Sequence, residues 1–323
     1  RQALLIVITM ALGFSAQAES ILPQSCSLFK GRNTAMQAPL AMSDYHVALR
    51  SCQVQGHSFV ALREFKTSNK TYLLITDPTT LKTDLVDKSC LSCEDITLKQ
   101  LPESHFRGAL KQQSQGSFPL SNDGIRHAQT GSKGYFLTVD LCPSHKEFEK
   151  NLFGNQKVST TSNFPVAVAI SGGWIAHHQD EFNQLKNQVL DGQLNVTWVN
   201  HSYTHPYQKS LPLDRNFLLT SGTIFADEVL KQEQYMISNG LVPSVYFRFP
   251  GLISDRKLIL ELTSYGLLSL GSDAWLALGQ KPTPGSVILV HGNGNEPYGI
   301  RLFTAFLQNI TDMSVFKPMN DIF

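Results

Sequence analysis

Two histidines four residues apart, His201 and His205, stand in the run Asn200-His201-Ser202-Tyr203-Thr204-His205-Pro206. Imidazole nitrogen ligates zinc and similar divalent ions, and one helical turn or a tight loop would aim both rings at one ion. H-x-x-x-H alone is also a common surface pattern. It gains meaning beside Asp140, Arg248, Asp273 and His291. A carboxylate, a guanidinium and an imidazole offer a general base, a group to orient it and a general acid. Each also has a plainer reading: Asp140 and Asp273 as caps, Arg248 as a turn residue, His291 as a satisfied core histidine.

The elements that must position these residues decide between the two. From about Gly134 apolar strands alternate with amphipathic helices. Strands are predicted at Tyr135–Val139, Pro165–Ile170, Val196–Val199, Ser244–Phe247, Leu267–Leu270 and Ser286–Val290. Helices are predicted over His178–Leu190, Ile224–Asn239, Ser254–Tyr265 and Arg301–Ile310, from their 3.6-residue apolar period and from caps and stops such as Ser254, Gly240 and Gly266. About six strand–helix units imply a parallel sheet or a (β/α) barrel somewhat smaller than a TIM barrel. Asp140, His201, Arg248, Asp273 and His291 each fall at or just past the C-terminal end of a strand. In a (β/α) barrel those ends converge on one face, where active sites are built.

The first third reads differently. Ser58–Phe65 and Thr71–Thr76 are strand candidates joined by a polar hairpin loop, and Gln112 to Ser132 turns Gln-, Ser-, Gly- and Asn-rich, as in a linker or long surface loop. Ala3 to Phe14 is an apolar run followed by Ala16-Gln17-Ala18, the pattern of a cleaved secretory leader over residues 1–18 and too short to span a bilayer. That predicts a periplasmic or secreted protein with no stable membrane span. In an exported chain, Cys26, Cys52, Cys90, Cys93 and Cys142 predict up to two disulfides and one leftover thiol, with the first four structural. The 27 Lys and Arg balance 26 Asp and Glu, which excludes the basic field of a nucleic-acid binder.

Together the barrel segments resemble the polysaccharide deacetylase family, carbohydrate esterase family 4, or NodB-homology domain. Thr138-Val139-Asp140-Leu141-Cys142-Pro143 sits where the family has T-F-D-D-G-P. Asn200 to Pro206 matches N-H-S/T-x-x-H-P, and Phe247-Arg248-Phe249-Pro250-Gly251 is similar to F-R-x-P-x-G. Asp273-Ala274-Trp275 is a shortened form of D-x-x-D-W, and Pro284 to His291 matches P-G-S-I-I-L-L-H. The resemblance covers roughly residues 133 to 320.

It implies an α/β fold: a distorted (β/α) barrel of NodB type over 131–323, preceded by a small β-rich accessory region with linker over 19–130. It implies a deacetylase acting on an acetylated polysaccharide, a cell-wall or surface glycan, with a divalent metal, zinc before others. By that resemblance His201 and His205 hold the metal, and Asp140 is the base, oriented by Arg248. His291 is the acid, with its pKa tuned by Asp273. A backbone N–H near Gly251 meets the oxyanion, while Leu289 and Trp275 line the substrate pocket. Leu141 replaces the family's metal-binding aspartate. Asp140, Cys142, His145 or His178 would then complete the ligand set, or waters would. A glycan-binding barrel with weakened catalysis is the alternative.

Overall fold

The computed structural model describes residues 26–28, 34–36, 39–129, 131 and 133–323. The expected leader lies outside the described residues. The chain begins with β1 (Ser43–Val54), β2 (His57–Lys66), β3 (Thr71–Thr76), β4 (Thr83–Asp87) and β5 (Ser92–Asp95). They form one antiparallel sheet in the order β4-β3-β2-β1-β5. The hairpin read at β2 and β3 is present, its loop closed by Thr67 N–H on Lys70 O at 2.8 Å. Two disulfides, Cys26–Cys90 and Cys52–Cys93, bind this region together, so the C-x-x-C pair is split between two bridges and Cys142 stays free.

Helix α1 (His105–Ser114) follows, capped by Ser104, whose hydroxyl accepts from Arg107 N–H. The stretch read as a linker behaves otherwise. Its first residues finish α1, and residues 121–127 run along the barrel, with bridges Ser121↔Ile253, Ile125↔Leu270 and His127↔Ser286. It ties one edge of the second sheet toward the other.

That sheet comes from β6 (Phe136–Leu141), α2 (Gln156–Ser159), β7 (Phe164–Ile170), α3 (Gly172–His177), α4 (Gln179–Leu190) and β8 (Leu194–Asn200), then α5 (Phe225–Ser238), β9 (Pro243–Phe247), α6 (Arg256–Ser264), β10 (Leu268–Ser269), β11 (Ala274–Trp275), β12 (Val287–His291) and α7 (Pro297–Gln308). The strand order is β10-β9-β8-β7-β6-β12-β11, with every neighbouring pair parallel. This is a distorted, open (β/α) barrel. Two helix starts differ from expectation. Asp255, not Ser254, caps α6 through Leu258 N–H at 2.8 Å. Helix α7 begins at Pro297 rather than Arg301, because proline is pre-set for the first turn.

Parallel strands covered on both faces should be apolar throughout; β7 is, and β6 and β12 are apart from Thr138, Asp140 and His291. The two-residue period sorts their side chains. Leu137, Val139 and Leu141 face outward into a cluster with Trp174, Phe182 and Phe303 from the helices. Phe136, Ala167, Ala169, Val199 and Val287 face inward. Val60 and Leu62 of β2 and Phe106 and Leu110 of α1 belong to that same inner cluster. A buried ion pair also joins the first sheet to α5. Arg63 reaches Glu233 of α5 at 2.7 and 3.0 Å with neither side chain exposed, and Tyr45 donates to the same carboxylate at 2.9 Å. The boundary near residue 130 therefore divides the sequence but not the core.

Candidate active site

The ends of β6, β8, β9 and β12 bring Asp140, His201, Arg248 and His291 to one mouth. Register places His291 directly beside Asp140 on adjacent strands. Arg248 follows β9 and is fully buried. Its Nη1 lies 3.2 Å from Asp140 Oδ1, and its Nη2 donates to Thr138 Oγ1 and to Gly271 O, both at 3.1 Å. A buried arginine must be paired, and here the pairing fixes the Asp140 carboxylate with its second oxygen turned to His201, 3.7 Å from Nε2.

His201 donates through Nδ1 to Arg248 O at 2.8 Å. That bond sets the tautomer and leaves the Nε2 lone pair free, the arrangement of a metal-ligating histidine. Burial pushes the His201 pKa down, which keeps the ring neutral. The His205 ring meets it edge-on at 4.7 Å, and His205 Nε2 is buried without a hydrogen-bond partner among the described residues. Cys142 Sγ lies 3.4 Å from His201 Nε2. One donor atom from each of Cys142, His201 and His205 lies within 4.8 Å of the others. Ligands of a tetrahedral zinc ion, at about 2.0–2.3 Å from it, sit roughly 3.5 Å apart. The three residues fit a divalent ion, and the orphaned His205 nitrogen is the atom that such an ion would satisfy.

Among the substitute ligands weighed for Leu141, the structure brings in Cys142. Strand period explains it: residues 140 and 142 share the inward face, while Leu141 is fully buried in the outer cluster. The backbone there is fixed by Ser171 Oγ on Leu141 O at 2.8 Å and Asn293 Nδ2 on Cys142 O at 3.2 Å. Burial would raise the Cys142 thiol, but the His205 and His291 rings outweigh it and bring its pKa to about 7. His145 and His178 do not converge on the site. His145 packs edge-on against His177, and His178 stacks on Trp174 with Nε2 on Ser144 O at 2.9 Å.

Asp273 is not beside His291. It accepts from Val287 N–H at 3.0 Å and pairs with His127 Nδ1 at 2.7 Å. The carboxylate next to His291 is Glu296, which sequence reasoning missed: its Oε2 is 2.7 Å from Nδ1 and accepts Trp275 Nε1–H at 2.8 Å. Burial lowers the His291 pKa, but Cys142, Glu296 and Asp140 together raise it well above the usual imidazole range. The available signal was Glu296-Pro297, an acidic residue and a proline opening a helix five residues after His291. Trp275 lies with its ring 5.6 Å from that of His291. Leu289 is buried on the same strand face as His291.

The loop carrying both histidines is braced from behind. Thr204 N–H and Oγ1 both bond the Glu228 carboxylate of α5, at 2.9 and 2.5 Å. Gly172 passes so close to Tyr203 that a Cβ there would lie 2.6 Å from its ring. Four of the ten non-glycine residues with positive φ among the described residues, Ser202, His205, Phe217 and Leu252, ring this mouth. Gly251 shares that conformation at φ 62° and lies against Phe217, with no room for a Cβ. Backbone strain gathers where surrounding structure over-determines it, commonly at functional sites. A separate cavity of about 360 Å³ opens beside Gln112, Asp123 and His127, and none of the site residues lines it.

No family model matches the chain. Among solved structures it is similar to a family 4 carbohydrate esterase from Bacillus anthracis, at 18% identity and TM-score 0.42, over 69% of this chain and 93% of that one. Another is a family 4 carbohydrate esterase from Streptomyces lividans in complex with acetate, at 19% and 0.38, over 58% and 93%. A third is a CE4 family pseudoenzyme from Bacillus anthracis, at 14% and 0.41, over 85% and 87%. The chain resembles family 4 carbohydrate esterases. Likeness at this distance carries no argument about activity, which rests on the side chains at the mouth.

Proposed function

We propose that this protein is an exported, metal-dependent polysaccharide deacetylase that hydrolyses N-acetyl or O-acetyl groups of a cell-wall or surface glycan, with zinc as its metal. The observation that carries the reading is the donor set Cys142, His201 and His205 beside the Asp140–Arg248 and His291–Glu296 pairs. When bound, a divalent ion lowers the pKa of a water from about 15.7 toward ~7 and polarises the acetyl oxygen. Asp140 Oδ2 takes the proton of the attacking water, while Arg248 holds Oδ1. His291 gives a ring proton to the departing sugar nitrogen as the carbon–nitrogen bond breaks, leaving acetate and a free amine. Glu296 favours the protonated ring that this step requires. Leu289 and Trp275 border the place of the acetyl group.

Leu141 favours the runner-up, a glycan-binding barrel with weak catalysis, because it contributes no ligand. Cys142 weighs the other way. Acetate release from an N-acetylglucosamine oligomer separates the two, measured after chelation and again with zinc restored. The deacetylase reading expects acetate only with metal, and none from His205→Ala. An oligomer that binds yet yields no acetate under any condition leaves the binding protein.

A further inference from the structure

Residues 206 to 217 form a loop that returns to the rim of the donor cluster. Asn216 cinches it. This residue is 1% exposed and spends its whole hydrogen-bonding capacity on the loop's own backbone. Its Oδ1 accepts from Gln208 N–H at 2.9 Å and Phe217 N–H at 2.8 Å, and its Nδ2 donates to Gln208 O at 2.6 Å and Leu211 O at 3.0 Å. The result holds Phe217 at φ 52°, a conformation costly for an aromatic residue. Phe217 meets the His205 ring edge-on at 6.2 Å and lies against Gly251. Tyr207 stacks on the same ring at 5.2 Å and 29°. Tyr207 nevertheless remains 60% exposed.

A tyrosine packed on a phenylalanine is an ordinary surface pair. This one differs in what holds it: a fully satisfied buried asparagine, a strained neighbour and a glycine whose missing side chain makes the space. Those features fix a flat aromatic face outward, one ring away from a candidate metal ligand. A rigid ring with few rotatable bonds gives contact area at low entropic cost, and the apolar C–H face of a pyranose is its natural complement.

We propose that Tyr207, braced by Phe217 and Asn216, is the stacking platform for the pyranose next to the one being deacetylated, and so sets a preference for polymer over single sugar. The inference rests on the deacetylase reading. Tyr207 acts on binding, not on the reacting atoms, so its loss separates KM from kcat.

The test uses the N-acetylglucosamine tetramer with wild type, Tyr207→Ala and Tyr207→Trp. Calorimetry gives tetramer affinity on metal-free protein, and acetate release gives KM and kcat on the zinc form. The platform predicts that Tyr207→Ala weakens binding and raises KM about tenfold, with kcat little changed and Tyr207→Trp restoring both. Wild type and Tyr207→Ala binding equally well would overturn the platform and leave the deacetylase standing. A wild type that neither binds nor deacetylates the tetramer would overturn both.

Discussion

At the scale of single residues, the acid side of the site is where sequence and structure part. Glu296, not Asp273, touches His291. Glu296→Gln is expected to lower the rate of acetate release about 100-fold, the low end of what acid–base catalysis supplies. Asp273→Asn is expected to change that rate far less, because its carboxylate meets Val287 N–H and His127 and not His291. Equal losses in the two variants would return the tuning role to Asp273. Asp140, Arg248, His201, His205 and His291 were legible because each follows an apolar strand, and strand ends converge. Glu296 was not, because it lies in the loop after β12 and only the fold back to Trp275 brings it to the ring. Cys142 was legible as one option among several. Choosing it required knowing that the chain keeps strand parity through Cys142 before Pro143 turns it away.

At the scale of elements, the joint between β2 and α5 rests on the buried pair of Arg63 and Glu233. Glu233→Ala would leave Arg63 charged, buried and without its carboxylate, at a cost of roughly 3–5 kcal/mol. Chemical denaturation should show the loss as a lower midpoint with an unchanged slope. Strand β4 offers a pH test. Burial raises the Asp84 carboxyl to about 6, against hydrogen bonds from Ser27 and Leu85 that pull it down. Its folded pKa lies above its unfolded value, so the folded state holds the proton more tightly between about pH 4 and 6. Stability from this group therefore falls as pH rises through that window, and above it the ionised carboxylate costs about 3 kcal/mol. Asp84→Asn keeps the acceptor and removes the charge. It should stabilise the protein at pH 8 and change little at pH 4, read from urea melts at the two values. Elements such as β3 and α4 were plain from period and turn chemistry. Strand β1 was not, since the alternation Tyr45, Val47, Leu49 gives way to Ser51 and Gln53 and only Ala48 and Cys52 of the strand are buried.

At the scale of the whole molecule, β2 and α1 pack into the barrel's inner cluster. Val60, Leu62, Phe106 and Leu110 fill space against Phe136 and Val199, and residues 121 to 127 bridge the barrel's edges. Residues 131–323 expressed alone are expected to be insoluble or to lose a cooperative thermal transition, whereas the chain from residue 19 keeps one. A soluble, cooperative 131–323 fragment would make the accessory reading of the first third correct. Composition marked where the linker-like segment lies. It could not show that a polar, turn-rich stretch would spend its backbone groups on distant strand ends, because those partners lie some 130 to 160 residues later in the chain.

The order of strands also sets an order in time. β6 is the first barrel strand made, yet one of its two neighbours is β12. The closing segment waits still earlier in the chain for Leu270 and Ser286. Met319 and Ile322 contribute to the inner cluster, so the interior cannot be shut until synthesis has passed them. Contacts that distant in sequence fold slowly. The half-made chain therefore stays open, its inner apolar faces uncovered, for as long as it takes to make. Apolar faces left uncovered in this way are the surfaces through which incomplete chains associate.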